Sequence, residues 1–245
     1  MKEIIETNYE LAKEVMKPFA SIEDFMENVD ATVACAKDEI AKWKSFNKLF
    51  DSQIAILIER GVPGNIVRWY ENEKERVLKH AMETTFGKGN VLFLPIIPLE
   101  YRTFFDLMAM VRNADGKAGY TDGNFSIIDM AETVPSRYIF DVSDGMVPLG
   151  GSEKNAKEIF AKQNRFPLTA VETIALCVHT DVLSRIGYLS ALGSCLSGNE
   201  NQHLSISAEK NFGRRPKLTW GYVQNWPPHF TLGVPSRDCW PRMKM

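Results

Sequence analysis

The sequence lacks the features that identify membrane and secreted proteins. No run of about 18 apolar residues occurs, and the most apolar stretch, "NVLFLPIIPLEY", is too short and too rich in proline to span a bilayer. The first residues are acidic where a signal peptide needs a basic segment followed by an apolar one. Four cysteines in 245 residues fall far below the density of a secreted disulfide scaffold. We therefore expect a cytoplasmic protein with reduced thiols and no membrane partner.

The chain also lacks the strong motifs of nucleotide and hydrolytic enzymes. There is no Gly-x-x-x-x-Gly-Lys-Ser/Thr loop, and no Gly-x-Gly-x-x-Gly lies between a predicted strand and a helix. A Gly-x-Ser-x-Gly elbow and a His-Glu-x-x-His pair are absent as well. We therefore expect no cofactor, and whether the protein is an enzyme stays open, with the balance against it.

The composition is that of a folded globular protein, with 44% hydrophobic and 24% charged residues. The formal net charge of -2 gives no general attraction to nucleic acid, so a nucleic-acid partner is not expected. The charge is unevenly spread, because the front of the chain is acidic and the tail from residue 196 is basic. A solvated surface explains this asymmetry, and an anion-binding tail is the alternative.

Residues 1–86 show helical spacing of apolar residues. Ser21 predicts an N-cap and Asp30 predicts a second one, before a helix with Val33, Ile40, Trp43, Phe46 and Phe50 on one face. Asp51 predicts a third cap, and Gly61 predicts the end of the helix that follows. These signals indicate several helices joined by short turns, as a helical N-terminal region.

Residues 87–245 show short apolar runs broken by glycine and proline, so we place a domain boundary before them. "VLFLPIIP" and "SRYIFDVSDG" are typical of strands, and Thr169 with Glu172 forms a capping box that predicts a helix start. Four β-leaning segments follow Gly187. The fold class expected is α+β, with a helical N-terminal part followed by a small, mostly antiparallel sheet covered by helices.

The most distinctive stretch is "TWGYVQNWPPHFTLGVPSRDCWP", which holds three of the five tryptophans. Large aromatic side chains usually anchor a sheet onto its covering helix, so core closure is the ordinary interpretation. The alternative is a partly open aromatic and basic groove that binds a ligand. Its candidate ligand-binding residues are Trp220, Trp226, His229, Arg237 and Trp240.

The same region supplies the candidate catalytic groups. Cys239 lies in a polar neighbourhood and could act as a nucleophile, with His229 or His203 as its base and Asp238 orienting that base. A metal held by Cys195, His203, His229 and Cys239 is a variant of this hypothesis. Their separations of 8, 26 and 10 residues are unlike the close ligand pairs of structural zinc sites, so no metal site is predicted.

Two further motifs have an ordinary and a functional interpretation. Asp141 and Asp144 lie at the end of a predicted buried strand, where a turn cap is expected and a polar group at a cleft is the alternative. The run "KNFGRRPK" is expected to be a solvated hairpin tip, with phosphate binding as the alternative.

The strand ending in Asp-x-x-Asp-Gly, the Leu-Thr-x-x-Glu helix start and the aromatic C-terminal strands resemble an uncharacterised bacterial family, a domain of unknown function. The resemblance covers about residues 90–245 and implies a bacterial protein, without supplying a catalytic residue. Together these features favour a binding or interaction module with an aromatic, basic C-terminal surface and a protein or small-molecule partner. The alternative is a hydrolase or transferase using the Cys/His or metal site, and the oligomeric state is open.

Overall fold

The structure, a computed structural model, describes residues 21–121, 123, 125–130, 137–145, 153–208, 215–221 and 232–238. They form seven helices and ten strands, which confirms the α+β class. The backbone divides into two compact units, residues 1–49 and 50–245, so the predicted division after residue 86 falls inside the second unit. Within the ranges described, no helix is long and apolar enough to cross a membrane.

The first helix, α1, is one continuous element over Ile22–Glu59. The predicted N-cap is confirmed, because the Ser21 hydroxyl accepts the amide hydrogen of Asp24 at 3.0 Å. The predicted caps at Asp30 and Asp51 are wrong, since both residues lie inside the helix and no glycine or proline interrupts it. The predicted end is confirmed by Gly61, whose φ of 76° suits glycine.

Two short helices follow, α2 over Gly64–Asn72 and α3 over Lys74–Glu83. Each presents one buried apolar stripe to the core of the second unit. Tyr70 of α2 is fully buried, and its hydroxyl donates to the carbonyl of Ile96. Phe50 stacks on Tyr138 with ring centroids 5.8 Å apart, which joins α1 to the same core.

The remaining elements are, in chain order, β1 (Val91–Pro95), α4 (Phe104–Met110), β2 (Tyr120–Thr121), β3 (Ile127–Asp129), β4 (Tyr138–Val142), α5 (Glu153–Gln163), β5 (Arg165–Pro167), α6 (Ala170–His179), α7 (Val182–Arg185), β6 (Tyr188–Leu196), β7 (Asn199–Ser207), β8 (Lys217–Gly221), β9 (Leu232–Gly233) and β10 (Ser236–Asp238). The predicted strands in "VLFLPIIP" and "SRYIFDVSDG" are β1 and β4, which pair antiparallel with Phe93 opposite Phe140. A second two-stranded sheet pairs β10 with β5.

The largest sheet has six strands in the order β2-β8-β7-β6-β3, with β9 also paired to β6. Its long pairs β6 with β7 and β7 with β8 are antiparallel, whereas β2 with β8 and β6 with β9 are parallel. The body of this sheet is antiparallel, and the short strands β2 and β9 add parallel pairs to it.

Helix α6 begins at the predicted capping box and packs on β6. The Thr169 hydroxyl accepts the amide hydrogen of Glu172, and the Glu172 carboxylate accepts that of Thr169 at 2.8 Å. The amide of Ala170 donates to the Ser194 hydroxyl of β6 at 2.8 Å. Gly193 permits this approach, because a Cβ there would lie 2.7 Å from the backbone of Leu168.

Candidate binding site

A small cleft with both polar and apolar walls opens where β4 ends beside β5, β10 and α5. Its volume is about 180 Å³, which is smaller than the roughly 300–1,000 Å³ of pockets for drug-sized ligands. The polar side chains that line it are Asn90, Ser143, Gln163, Arg165 and Ser236. The cleft lies wholly within the second unit.

The backbone at the floor of the cleft is held by a tight strand-to-strand contact. Beyond the end of β4, Ser143 and Ser236 exchange backbone hydrogen bonds of 2.8 and 3.3 Å. Gly145 then turns with a φ of 78°, and a Cβ there would lie 2.4 Å from the backbone of Val234. Only glycine fits, so the Asp144-Gly145 turn fixes the wall of the cleft.

Asp141 is the strained residue of β4. Its φ is 49°, in the left-handed region that few residues other than glycine occupy, although aspartate tolerates it better than most. Such a conformation costs on the order of 1–3 kcal/mol and persists only where the surroundings hold it. The surroundings do so here, because the buried carboxylate accepts hydrogen bonds from the Gly87 amide and the Asn90 side chain, each at 2.7 Å.

Arg165 completes this cluster and faces the cleft. Its Nη1 pairs with the Asp141 carboxylate at 2.5 Å, and its Nη2 donates to the Asp141 carbonyl. Its Nε donates to the Ser236 hydroxyl at 2.9 Å, and Nη2 also reaches the Ser236 carbonyl at 3.1 Å. One guanidinium thus joins β4 to β10 in the planar, multiply bonded arrangement that arginine favours.

The position of Arg165 is set by the residue before it. Asn164 has a φ of 53° and stands at the end of α5, where asparagine is one of the few residues that readily adopts the left-handed conformation. The chain reverses there and enters β5 directly. Arg165 therefore starts its strand with its side chain already next to Asp141.

The Asp141 carboxyl is held in its charged form. Burial alone would raise its pKa, but hydrogen bonds from Asn90, Arg165 and Gly87, together with the charge of Arg165, outweigh burial and lower the pKa below its usual value. Asp141 and Arg165 therefore form an ion pair at neutral pH.

A second buried ion pair involves Arg237, the residue that follows Ser236 on β10. Arg237 of β10 donates from Nε to the Glu172 carboxylate at 2.8 Å, and both side chains are almost completely buried. The guanidinium also lies 5.4 Å from the centre of the Phe166 ring. Burial raises the pKa of Glu172, while the charge of Arg237 and the hydrogen bonds from Thr169 and Arg237 oppose that rise.

The predicted aromatic groove is only partly within the described residues. Trp220 lies on β8, is half-buried and packs edge-to-face on Phe125 at 4.7 Å. Arg237 lies on β10 in the other sheet, in the buried pair just described. Trp226, His229 and Trp240 lie outside the described residues, so ligand binding at this groove stays a prediction.

The candidate nucleophile and the candidate metal ligands also lie only partly within the described residues. Cys195 and His203 are opposite one another on β6 and β7 and are fully buried, and the His203 Nδ1 donates to the Ser194 carbonyl at 2.8 Å. The backbone of Asp238 pairs with Arg165, while Cys239 and His229 lie outside the described residues. In the part of the chain that the structure describes, no group of three or more His, Cys, Asp or Glu could hold a metal ion.

The basic run is described from Arg215 onwards. The Arg215 guanidinium donates to the Ala118 carbonyl at 2.7 Å and lies 5.1 Å from the centre of the Tyr120 ring. Lys217 lies 5.7 Å from the same ring. Arg215 and Lys217 thus both contact residues in or next to β2. Lys210 and Arg214 lie outside the described residues.

The central residues of the cleft carried little signal in the sequence. Asp141 was recognisable as a polar group after a strand, although a turn cap was the expected role. Arg165 and Asn90 stand 24 and 51 residues from Asp141, and no motif marks them. The one local signal was Asn164, whose preference for a left-handed turn could have indicated that Arg165 begins a new strand.

No family model, curated protein or solved structure matches the chain. The resemblance to an uncharacterised bacterial family stays a prediction. The function is therefore argued from the chemistry of the cleft.

Proposed function

We propose that the protein is a binding protein, without catalysis of its own, whose cleft beside Arg165 holds a small polar molecule. The observation that carries the proposal is the Asp141–Arg165 pair, a strained and multiply bonded cluster whose arginine lines a small cleft with polar and apolar walls. Backbone strain of this kind concentrates at functional sites, because ordinary packing gives no reason to retain it.

The lining of the cleft suits a molecule that both donates and accepts hydrogen bonds. Asn90 and Gln163 supply amide groups, and Ser143 and Ser236 supply hydroxyls. The apolar part of the wall comes from Ile159, Phe160 and Val234. A few polar groups set in a partly apolar wall are typical of small-molecule sites, and the modest volume selects a small ligand.

The charges of the cleft support binding rather than proton transfer. A general base works best with a pKa near the working pH, whereas the pKa of Asp141 lies below its usual value. A guanidinium group is in general a poor proton donor near neutral pH. The pair therefore orients hydrogen-bonding groups and supplies no base or acid near neutrality.

The test is to block the cleft without disturbing the fold around it. Ile159 lines the cleft and is half-buried, so Ile159→Trp fills the space. Lys162→Trp, on the exposed face of the same helix, is the matched control. Thermal-shift and calorimetric titrations use glutamine, succinate and glucose as probes, and native mass spectrometry records any small molecule retained on purification.

We expect a retained mass or a probe response in the wild type and in Lys162→Trp, and its loss in Ile159→Trp. An equal response in the blocked variant would show that the ligand binds elsewhere. A bare polypeptide mass together with no response to any probe would count against small-molecule binding itself.

The alternative proposal, a hydrolase or transferase with a Cys/His or metal site, keeps one supporting observation. Cys195 and His203 of the predicted metal set are cross-strand partners. Zinc in the same native mass spectrum, or rapid selective alkylation of Cys239 at neutral pH, would favour this class. A metal-free protein with an inert Cys239 thiol removes it.

A further inference from the structure

The part of α1 that belongs to the first unit exposes a row of apolar side chains. Met26, Val29, Val33, Ile40 and Trp43 are between 37% and 55% exposed. Single exposed apolar residues are ordinary on protein surfaces. A continuous row along one helix face is different, because it marks a surface that another element covers.

The row follows a heptad repeat. Apolar residues recur at alternating steps of three and four residues, namely at 26, 29, 33, 36, 40 and 43, with Ile22 one step earlier. This average period of 3.5 residues is that of a coiled coil, in which these positions are a and d. We call residues 26–43 at these positions the seam; it covers about 27 Å of helix.

We propose that the seam packs against the seam of a second copy of this chain, as an antiparallel two-helix coiled coil. In this pairing Met26 lies opposite the partner's Trp43, Val29 opposite the partner's Ile40, and Val33 opposite the partner's Ala36. The small residues then meet at the two-fold axis, and the large residues lie at the two ends of the seam.

The charges beside the seam are complementary to themselves in the antiparallel orientation. At the e positions, Asp30 is acidic and Lys37 is basic, and both side chains are exposed. Antiparallel pairing brings Asp30 next to the partner's Lys37, and the pair occurs twice by symmetry, which gives two opposite-charge contacts.

A parallel arrangement would use different charges. Position g then faces position e of the partner, so Thr32 would lie by the partner's Lys37 and Glu39 by the partner's Lys44. The opposite-charge pair is then Glu39 with Lys44, so the two orientations respond to different substitutions.

The outer face of the same helix does not compete for these charges. Lys42 and Asp38 lie at c and f, away from the seam, and pair with each other at 2.8 Å. A hydrogen bond to Asp38 and the negative charge of Asp38 raise the pKa of Lys42. Asp30, Lys37 and Lys44 are exposed.

The test is sedimentation equilibrium of the full chain over a range of concentrations, with reductant present because Cys35 is an exposed free thiol. We expect twice the 27.8 kDa monomer mass. Val33→Glu should raise the dimer dissociation constant at least about a hundredfold, since each dimer would bury two unpaired carboxylates. Ala34→Glu adds the same charge at the next residue, on the outer face, and should leave the constant unchanged.

Orientation is tested with charge variants. Lys37→Glu should weaken the dimer a few-fold to about tenfold, and the double variant Asp30→Lys, Lys37→Glu should restore it. Glu39→Lys should leave the dimer dissociation constant unchanged, because Glu39 faces Thr32 of the partner subunit in the antiparallel dimer.

A monomer at every concentration, or a dimer that survives Val33→Glu, overturns the proposal. A dimer weakened by Glu39→Lys and indifferent to Lys37→Glu has parallel helices and overturns it as well. Neither result bears on the proposed ligand binding at the cleft, because the residues of the cleft lie in the other unit.

Discussion

The two units of the chain depart from ordinary burial in opposite directions. The first exposes an apolar row that runs from Met26 to Trp43, whereas the second buries two ion pairs, Asp141 with Arg165 and Glu172 with Arg237. An exposed apolar strip and a buried charge are the informative exceptions to the usual rule that apolar groups lie inside and charges outside. The exposed apolar row lacks a packing partner among the described residues, whereas each buried charge has its partner within the second unit.

The comparison holds even within one helix. Ile40 and Ile54 occupy the same heptad position of α1, yet Ile40 is 55% exposed and Ile54 is 6% exposed. The spacing of apolar residues therefore predicts which face of the helix is buried. The tertiary or quaternary structure decides which element buries it. For Ile54 that cover is the core of the second unit.

The largest effect is expected where a buried charge loses its partner. Arg237→Met leaves the Glu172 carboxylate buried beside the aliphatic side chain, so the free energy of unfolding should fall by about 3–5 kcal/mol. Urea unfolding followed by circular dichroism measures this change. The double variant Arg237→Met, Glu172→Gln should recover more than half of the loss, because it removes the charge and keeps the capping box.

A loss below about 1 kcal/mol in Arg237→Met would contradict the buried assignment, since an exposed pair contributes that little. The burial of the Glu172–Arg237 pair would then no longer distinguish the second unit from the first.

Parts of both units could be predicted from the sequence because their signals are local. The Thr169–Glu172 capping box and the Gly61 helix end are side-chain and backbone preferences of adjacent residues, and the structure confirms them. The caps at Asp30 and Asp51 were wrong for the complementary reason. An exposed aspartate is tolerated inside a long helix, where Asp51 pairs with Lys74 at 2.6 Å.

The candidate site could be predicted only in part, because it depends on tertiary contacts. Asp141 stood out, but the hydrogen bonds that hold it come from Gly87, Asn90 and Arg165, each more than 20 residues away. The register of β5 with β10 then brings Arg165 to Ser236. No local preference encodes such a register, so these residues could not be found before the fold.

A smaller effect, with a defined pH dependence, is expected at Asp141. Asp141→Asn keeps a side chain that accepts the left-handed backbone and removes only the charge, so unfolding should cost about 2 kcal/mol less at neutral pH. Because the folded-state pKa is lowered, the charge stabilises the fold above the unfolded pKa of about 3.9. That contribution is lost as the pH falls through the folded pKa, so the two proteins should converge in acid.

Asp144→Asn, three residues further on, is the matched control. Asp144 pairs with the partly exposed Arg185, so its loss should cost less than about 1 kcal/mol. Unfolding curves of the three proteins at several values of pH between 7 and 3 separate the two carboxylates. A constant difference between wild type and Asp141→Asn across that range would contradict the lowered pKa.

The smallest effect is expected on the exposed row. Ile40→Ala should change the free energy of unfolding by less than about 0.5 kcal/mol in samples dilute enough to be monomeric, because Ile40 is exposed there and alanine favours the helix. Ile54→Ala, at the same heptad position, should cost about 2–5 kcal/mol, because it leaves a cavity in the core. Equal losses at the two positions would mean that Ile40 is covered within a single chain, and the contrast between the units would then be one of degree.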